Sequence, residues 1–290
     1  MNSIEAKYFE KKENNNVRCN LCPHLCLIEP GGYGKCNVRK NVEGTLMAET
    51  YERASSVGMD PVRKKPLYHF YPNKMVLSVG SIGCNLSCAF CQNYGISQIL
   101  PGEGKMMPQR SVESIIAEAK GINNNLGIAF TYNEPTVWYE FMYDIARKAK
   151  QENLKTMMIS NGFINNKPLE DLLPYMDAFN IDLKAFNNKF YKRLSGGSLP
   201  PVLESMKLIH QHRKHLEVTN LIIPGENDDP AEFENMVHWI RTELGKDTVL
   251  HISRYFPVYR MSVPPTPKET IYEFKEIAQK YLDNVYLGNI

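Results

Sequence analysis

From Met75 onward the chain alternates short apolar runs with amphipathic stretches of helical length, joined by brief connections. No other feature limits the fold as strongly. Apolar runs without polar alternation suit strands buried on both faces, the environment of a parallel sheet. The predicted strands are Met75–Val79, Gly127–Tyr132, Lys155–Ser160, Ala178–Leu183, Glu217–Ile223, Val249–Ser253 and Asn284–Leu287. Between them fall predicted helices over Val112–Gly121, Thr136–Glu152, Pro168–Tyr175, Pro201–His212, Pro230–Leu244 and Pro267–Tyr281. Ser111 stands where an N-cap acceptor is wanted, and Pro168, Pro230 and Pro267 fall where a first helical turn tolerates them. Such alternation gives a parallel α/β sheet with right-handed crossovers, either open or closed wholly or partly into a barrel. In each case the chemistry belongs at the carboxyl ends of the strands.

Residues 1–72 lack this rhythm and form a small Cys-rich N-terminal extension to a core domain over 73–290. Within it, Val17–Arg39 is rich in Cys, Gly and Pro and suits a loop-built metal knuckle. Gly44–Pro72 is an irregular extended stretch in which Pro61, Pro66 and Pro72 oppose helix, and it is expected to lie across the main domain. All seven cysteines lie before position 92, in two tight groups. An odd, clustered set is unlike a disulfide framework and favours metal in a reducing compartment. With 43% hydrophobic and 23% charged residues and a net charge of +2, the balance is that of a soluble globular protein. That charge gives no reason to expect nucleic acid or an anionic membrane as partner. No window approaches the ~18 apolar residues of a membrane span. Met1–Asn16 carries Glu5, Glu10 and Glu13 and lacks the apolar centre of a secretory signal, so a cytoplasmic protein is expected.

Cys84, Cys88 and Cys91 directly follow the first predicted strand with the spacing Cys-x3-Cys-x2-Cys. Three thiolates on one loop can hold three irons of a [4Fe-4S] cubane and leave the fourth without a protein ligand. A bidentate amino acid can take that iron through its amine and carboxylate, which would set the sulfonium of S-adenosylmethionine (SAM) beside the cluster. A structural zinc site would close with a fourth protein ligand, and no neighbouring Cys or His supplies one.

Cys-x3-Cys-x-Phe-Cys, with Phe90 before the third thiol, resembles the signature of the radical SAM superfamily, and the likeness runs through most of residues 75–265. It implies a partial (β/α)6-type barrel and reductive cleavage of SAM to a 5′-deoxyadenosyl radical that abstracts hydrogen. It also implies a low-potential electron donor, flavodoxin or ferredoxin. In that superfamily Gly-Gly-Glu-Pro ends the second strand and binds the SAM amino group; Tyr132-Asn133-Glu134-Pro135 stands here, assigning Asn133 and Glu134 to the cofactor. A plainer reading of Glu134 is an acid at a helix N-terminus. Ser160-Asn161-Gly162-Phe163 resembles the Thr-Asn-Gly-Phe strand end of glycyl-radical-enzyme activases, which puts Ser160 and Asn161 in the SAM pocket. Asp182-Leu183-Lys184 resembles their Asp-Leu-Lys segment: Lys184 can neutralise the SAM carboxylate, and Asp182 can position ribose, a cation or Lys184. A surface ion pair is the alternative for these two. Phe90 and Gln92, on either side of Cys91, complete the cofactor-binding set.

A narrower likeness rests on Cys22-Pro-His-Leu-Cys26, Gly34-Lys35-Cys36-Asn-Val-Arg39, Lys65-Pro-Leu-Tyr68-His69-Phe70 and Pro264-Pro-Thr-Pro267. These resemble the radical SAM enzymes of the AmmeMemoRadiSam system, which are similar to pyruvate formate-lyase activating enzyme. The substrate implied is a metabolite, peptide or lipid, or alternatively a glycine on a partner protein.

Cys19-x2-Cys22-x3-Cys26-x9-Cys36 offers four more thiolates, which suit a tetrahedral zinc or a second Fe–S cluster. Gly31, Gly32 and Gly34 allow the chain to turn before Cys36, and His24 is expected to support that site rather than ligate it. His210, His212 and His215, near a helix end, suit solvated or capping roles. His251 and Ser253 share a face near the end of a predicted strand, where they could meet SAM or substrate.

Overall fold

The computed structural model describes residues 3–290; residues 1 and 2, the start of the extension expected over 1–72, lie outside the described residues. Eight strands form the main sheet: β1 (Ser56–Pro61), β2 (Met75–Gly80), β3 (Asn125–Phe130), β4 (Lys155–Ser160), β5 (Ala178–Asp182), β6 (His215–Ile222), β7 (Val249–Arg254) and β8 (Asn284–Gly288). They neighbour one another in sequence order, and β2 to β8 all run parallel. Six helices fill the six crossovers in turn: α1 (Val112–Gly121), α2 (Tyr139–Gln151), α3 (Asn166–Leu172), α4 (Leu199–Gln211), α5 (Pro230–Leu244) and α6 (Lys268–Gln279). The α/β partial barrel expected from the sequence is therefore present, with six βα units and a seventh parallel strand. The sheet ends at β1 on one side and β8 on the other, so it does not close. Among the described residues no helix is long and apolar enough to cross a membrane.

Helix starts follow local chemistry. Ser111 Oγ accepts from Ser114 N–H at 3.1 Å to begin α1, and Asp229 Oδ1 accepts from Glu232 N–H at 2.7 Å to begin α5. Apolar residues are buried on both faces of the sheet, as parallel packing requires. Leu77, Val79, Ile128 and Phe130 meet the helix layer through Ile115, Phe141 and Met142. Val76, Ala129, Met157 and Ala178 face the other way, toward Val62 and Leu67 of the segment between β1 and β2. That segment plugs the amino-terminal floor of the barrel. Asn180 Nδ2 donates to Pro66 O at 2.8 Å. Glu217, fully buried, accepts from Tyr68 N–H (2.9 Å), His69 N–H (2.7 Å), His215 Nε2 (2.8 Å) and His251 Nε2 (2.6 Å). Burial alone would raise its carboxyl, but the two imidazoles and two amides outweigh it and hold the pKa at about 2.

This floor corrects two expectations. His215 is neither solvated nor a cap, because it opens β6 and binds Glu217. His251 is the third residue of a strand that runs on to Arg254, so it lies at the floor, away from the strand ends. A third difference concerns Gly44–Pro72, which holds two strands, Thr45–Ala48 and β1, and β1 pairs antiparallel with β2. Pro61 is tolerated because β1 is an edge strand. The extension adds two small antiparallel sheets, one from Phe9–Lys11, Val17–Cys19 and Leu27–Ile28, the other from Ile4–Glu5, Arg39–Val42 and Thr45–Ala48. Arg39 and Glu140, both almost fully buried and 3.0 Å apart, join it to α2.

Candidate active site

The loop after β2 is held from three sides. Asn133 reaches across from the end of β3, accepting from Ser81 N–H and donating to Gly83 O, both at 2.9 Å. Ser87 N–H donates to Ser195 O (2.8 Å) and Ala89 N–H to Leu194 O (2.9 Å), pinning the loop to the segment between β5 and β6. Two glycines allow this fit. Gly83 has φ +87° and a Cβ there would lie 2.7 Å from Cys36 O; Gly196 has φ +69° and a Cβ there would lie 2.4 Å from Ser87 Oγ. On this loop Cys84, Cys88 and Cys91 are free thiols, Cys88 buried and the other two partly buried. Cys84 Sγ accepts from Leu86 N–H at 3.3 Å and from Asn161 Nδ2 at 3.6 Å. Burial, with Glu134 and Cys88 nearby, pushes the Cys84 thiol up; burial and Cys88 do the same to Cys91.

The next strand ends bring the other predicted residues to this loop. Tyr132 holds φ +71°, a left-handed conformation that glycine adopts without cost. Its side chain is anchored in compensation: Oη donates to Asp60 Oδ2 at 2.8 Å, and Lys65 Nζ lies 4.6 Å from the ring centre. Glu134 accepts from Thr136 N–H (2.9 Å), Ser160 Oγ (2.8 Å) and Asn161 N–H (2.8 Å). It therefore caps the 3-10 turn Pro135–Trp138 and also ties β3 to β4 beside Cys84. Burial raises its carboxyl against those donors. Lys184 Nζ lies 3.0 Å from Asp182 Oδ2 and 5.8 Å from the centre of the Phe90 ring. Burial alone would lower this ammonium; Asp182, with Cys88 and Tyr191 nearby, reverses that and raises it. Gln92 stands apart from the group, exposed on the rim.

Several bracing residues escaped the sequence reading. Asn85 Nδ2 donates to Phe163 O (2.6 Å), its Oδ1 accepts from Asn161 Nδ2 (2.9 Å), and its carbonyl meets His24 Nε2 at 2.7 Å. Lys184 is fixed through its backbone, its N–H on Tyr191 Oη (3.0 Å) and its C=O on Asn227 Nδ2 (2.7 Å). Position after Cys84 could have flagged Asn85; nothing in the sequence pairs Tyr191 or Asn227 with Lys184. The other four cysteines, Cys19, Cys22, Cys26 and Cys36, are also free and line one cavity that Asn85 borders. Burial pushes Cys22 up to about 12 and Cys36 up to about 11.

A parallel partial barrel with three free thiols on its first βα loop, met by a carboxylate and a lysine from later strand ends, defines a radical-generating class of enzyme. The chain belongs to the radical SAM superfamily, whose model matches residues 79–240. It is 44% identical over 99% of its length to an uncharacterized protein of Methanocaldococcus jannaschii, covering 85% of that protein. It is 23% identical to the pyruvate formate-lyase 1-activating enzyme of Escherichia coli, over 69% of this chain and 86% of that one. Among solved structures, Streptococcus suis SuiB bound to S-adenosylmethionine shares the fold, with a TM-score of 0.57 and 16% identity over 73% of this chain and 51% of that chain. Membership implies a [4Fe-4S] cluster and SAM. The residues fit: three soft thiol donors on one loop, amide donors at Cys84 Sγ, and a cation beside Cys88.

Proposed function

We propose that Cys84, Cys88 and Cys91 hold the cluster and that Glu134, Ser160, Asn161, Asp182 and Lys184 seat SAM against it. When bound, the cluster and SAM supply reductive cleavage to methionine and a 5′-deoxyadenosyl radical. The protein's part is placement. Lys184, a charged donor whose side chain is largely buried, takes the SAM carboxylate, and Asp182 keeps it aimed. Glu134 takes the amino group, its orientation fixed by Ser160 and Asn161. Asn161 also donates toward Cys84 Sγ, so pocket and thiol move together. The observation that carries the reading is this convergence of the ends of β2, β3, β4 and β5 on one loop of three thiols. To test it, protein reconstituted under nitrogen is given dithionite and SAM and assayed for 5′-deoxyadenosine. Product above a Cys88→Ala control is expected; none would overturn the assignment.

The hydrogen removed belongs to a metabolite, peptide or lipid that enters from the strand ends, since the floor is plugged by residues 62–70. Electrons come from a low-potential protein donor such as flavodoxin or ferredoxin, in the cytoplasm, where seven thiols stay reduced. A second reading, hydrogen abstraction from a glycine of a partner protein, is favoured by the likeness to named activating enzymes over most of their length. Deuterium transfer into 5′-deoxyadenosine separates the two. Label arriving from a glycine-deuterated partner protein supports the second reading, and label from a small molecule the first.

A further inference from the structure

The cavity lined by Cys19, Cys22, Cys26 and Cys36 has two further features that no role so far explains. Arg39 is 1% exposed; its Nη1 is bound to Glu140 and its Nη2 to Lys7 O, but its Nε–H has no partner. Thr136, fully buried, has an unpartnered Oγ1. Both residues line this cavity. A buried donor left without an acceptor costs about 1–3 kcal/mol, so two around one cavity call for an anionic occupant with several acceptor atoms.

The donor set and its spread narrow the occupant. Four thiols are soft ligands that suit zinc or iron–sulfur. Tetrahedral zinc, with Zn–S near 2.3 Å, would draw the sulfurs to about 3.8 Å from one another. Here the four thiols line one enclosed cavity together with Arg39 and Thr136. Among the described residues no three His, Cys, Asp or Glu donors gather tightly enough to hold one ion. Among the described residues Cys84, Cys88 and Cys91 form no such single-ion group either. A cubane brings its own sulfides, which accept hydrogen bonds from the sides its thiolates leave free.

We infer that Cys19, Cys22, Cys26 and Cys36 hold a second iron–sulfur cluster, hydrogen-bonded by Arg39 and Thr136 and packed directly against the catalytic loop. The contact with that loop is direct, through the 2.7 Å hydrogen bond between His24 Nε2 and Asn85 O. Asn85, which borders the cavity, follows Cys84 in the chain and takes His24 through its carbonyl. Cys36 O sits where a side chain on Gly83 would be. Two clusters so placed sense each other magnetically.

The test does not depend on the SAM reading, because it is made on the site with the triad removed. Wild-type protein reconstituted anaerobically with iron and sulfide is expected to carry about eight iron and eight sulfide per chain. The triple variant Cys84→Ala/Cys88→Ala/Cys91→Ala should keep about four of each and the absorption of one cluster. The double variant Cys19→Ala/Cys22→Ala should keep about four of each, now at the triad. In reduced wild type the EPR signal should relax faster than the sum of the two variants' signals. About four iron in wild type with none in the triad variant would overturn the second cluster. So would stoichiometric zinc that survives reconstitution, and an EPR signal equal to that sum would overturn the packing against the loop.

Discussion

Glu217 offers the sharpest test of the floor. Its carboxylate is fully buried and accepts four hydrogen bonds, two from backbone amides and two from histidines. The pKa falls from 4.5 to about 2 on folding. Two to three units at about 1.4 kcal/mol each give roughly 3 kcal/mol of stabilisation by the charged form. Because the folded value is the lower one, this contribution is complete above pH 4.5 and is lost as pH falls toward 2. Glu217→Gln keeps the shape but offers one carbonyl oxygen and turns an NH2 toward groups that are themselves donors. Denaturant unfolding of the cluster-free chain, followed at pH 7 and in steps to pH 3, reads the difference. The variant should be about 3 kcal/mol less stable at pH 7, and the gap should narrow below pH 4.5 as the wild type loses its advantage. A deficit under about 1 kcal/mol at pH 7, or one that stays constant to pH 3, would refute the account.

Lys184→Ala should weaken SAM binding by ~10- to 100-fold, the worth of a charge-assisted bond, with cluster iron unchanged; equilibrium binding to reconstituted protein measures it. Equal affinity would remove Lys184 from the pocket. Tyr132→Ala should be about 1 kcal/mol less stable than Tyr132→Gly, since both lose the ring but only alanine keeps the strain of φ +71°. Thermal or urea midpoints of the pair decide it, and the reverse order would argue against the left-handed backbone. Gly196→Ala forces a Cβ against Ser87 Oγ at positive φ and should cost about 1–3 kcal/mol and lower iron retention at the triad. Iron analysis with full occupancy and unchanged stability would show that the clamp can give way.

What the sequence disclosed followed the reach of its physics. Strand and helix positions were legible because burial on both faces leaves uninterrupted apolar runs, and each predicted strand has a counterpart in β2 to β8. β1 was not legible. Its partner lies beyond an intervening proline-rich segment, and in its own sequence, Ser-Val-Gly-Met-Asp-Pro, the alternation rests on Val57 and Met59 alone and is interrupted by Gly58 and Pro61, which weaken a strand signal. His251 was misplaced for a local reason: β7 runs through Arg254, and position along a strand decides whether a side chain meets the floor or the mouth. That three thiols share one loop could be read, because residues this close in sequence need no tertiary argument. The parts played by Tyr191 and Asn227 could not be read, since nothing local pairs either with Lys184, and Asn85 could be flagged only by its place after Cys84.

Tyr132 shows why a departure from a family pattern need not be a defect. The superfamily pattern has glycine at this place, and here a large side chain holds the left-handed conformation that glycine adopts without cost. That side chain is held by Asp60 at the end of β1 and by Lys65 of the plug, and Asp60 in turn accepts from Ser78 Oγ (2.9 Å) on β2. The ring thus links the floor to the strand end that carries Glu134. The N-terminal extension acts at both levels of the barrel: residues 62–70 seal the bottom, and residues 19–39 brace the loop that bears the three thiols. Glycine at 132 would relax the backbone but cut that link. The strained residue is therefore best understood as the point where the extension and the catalytic loop are made to depend on each other.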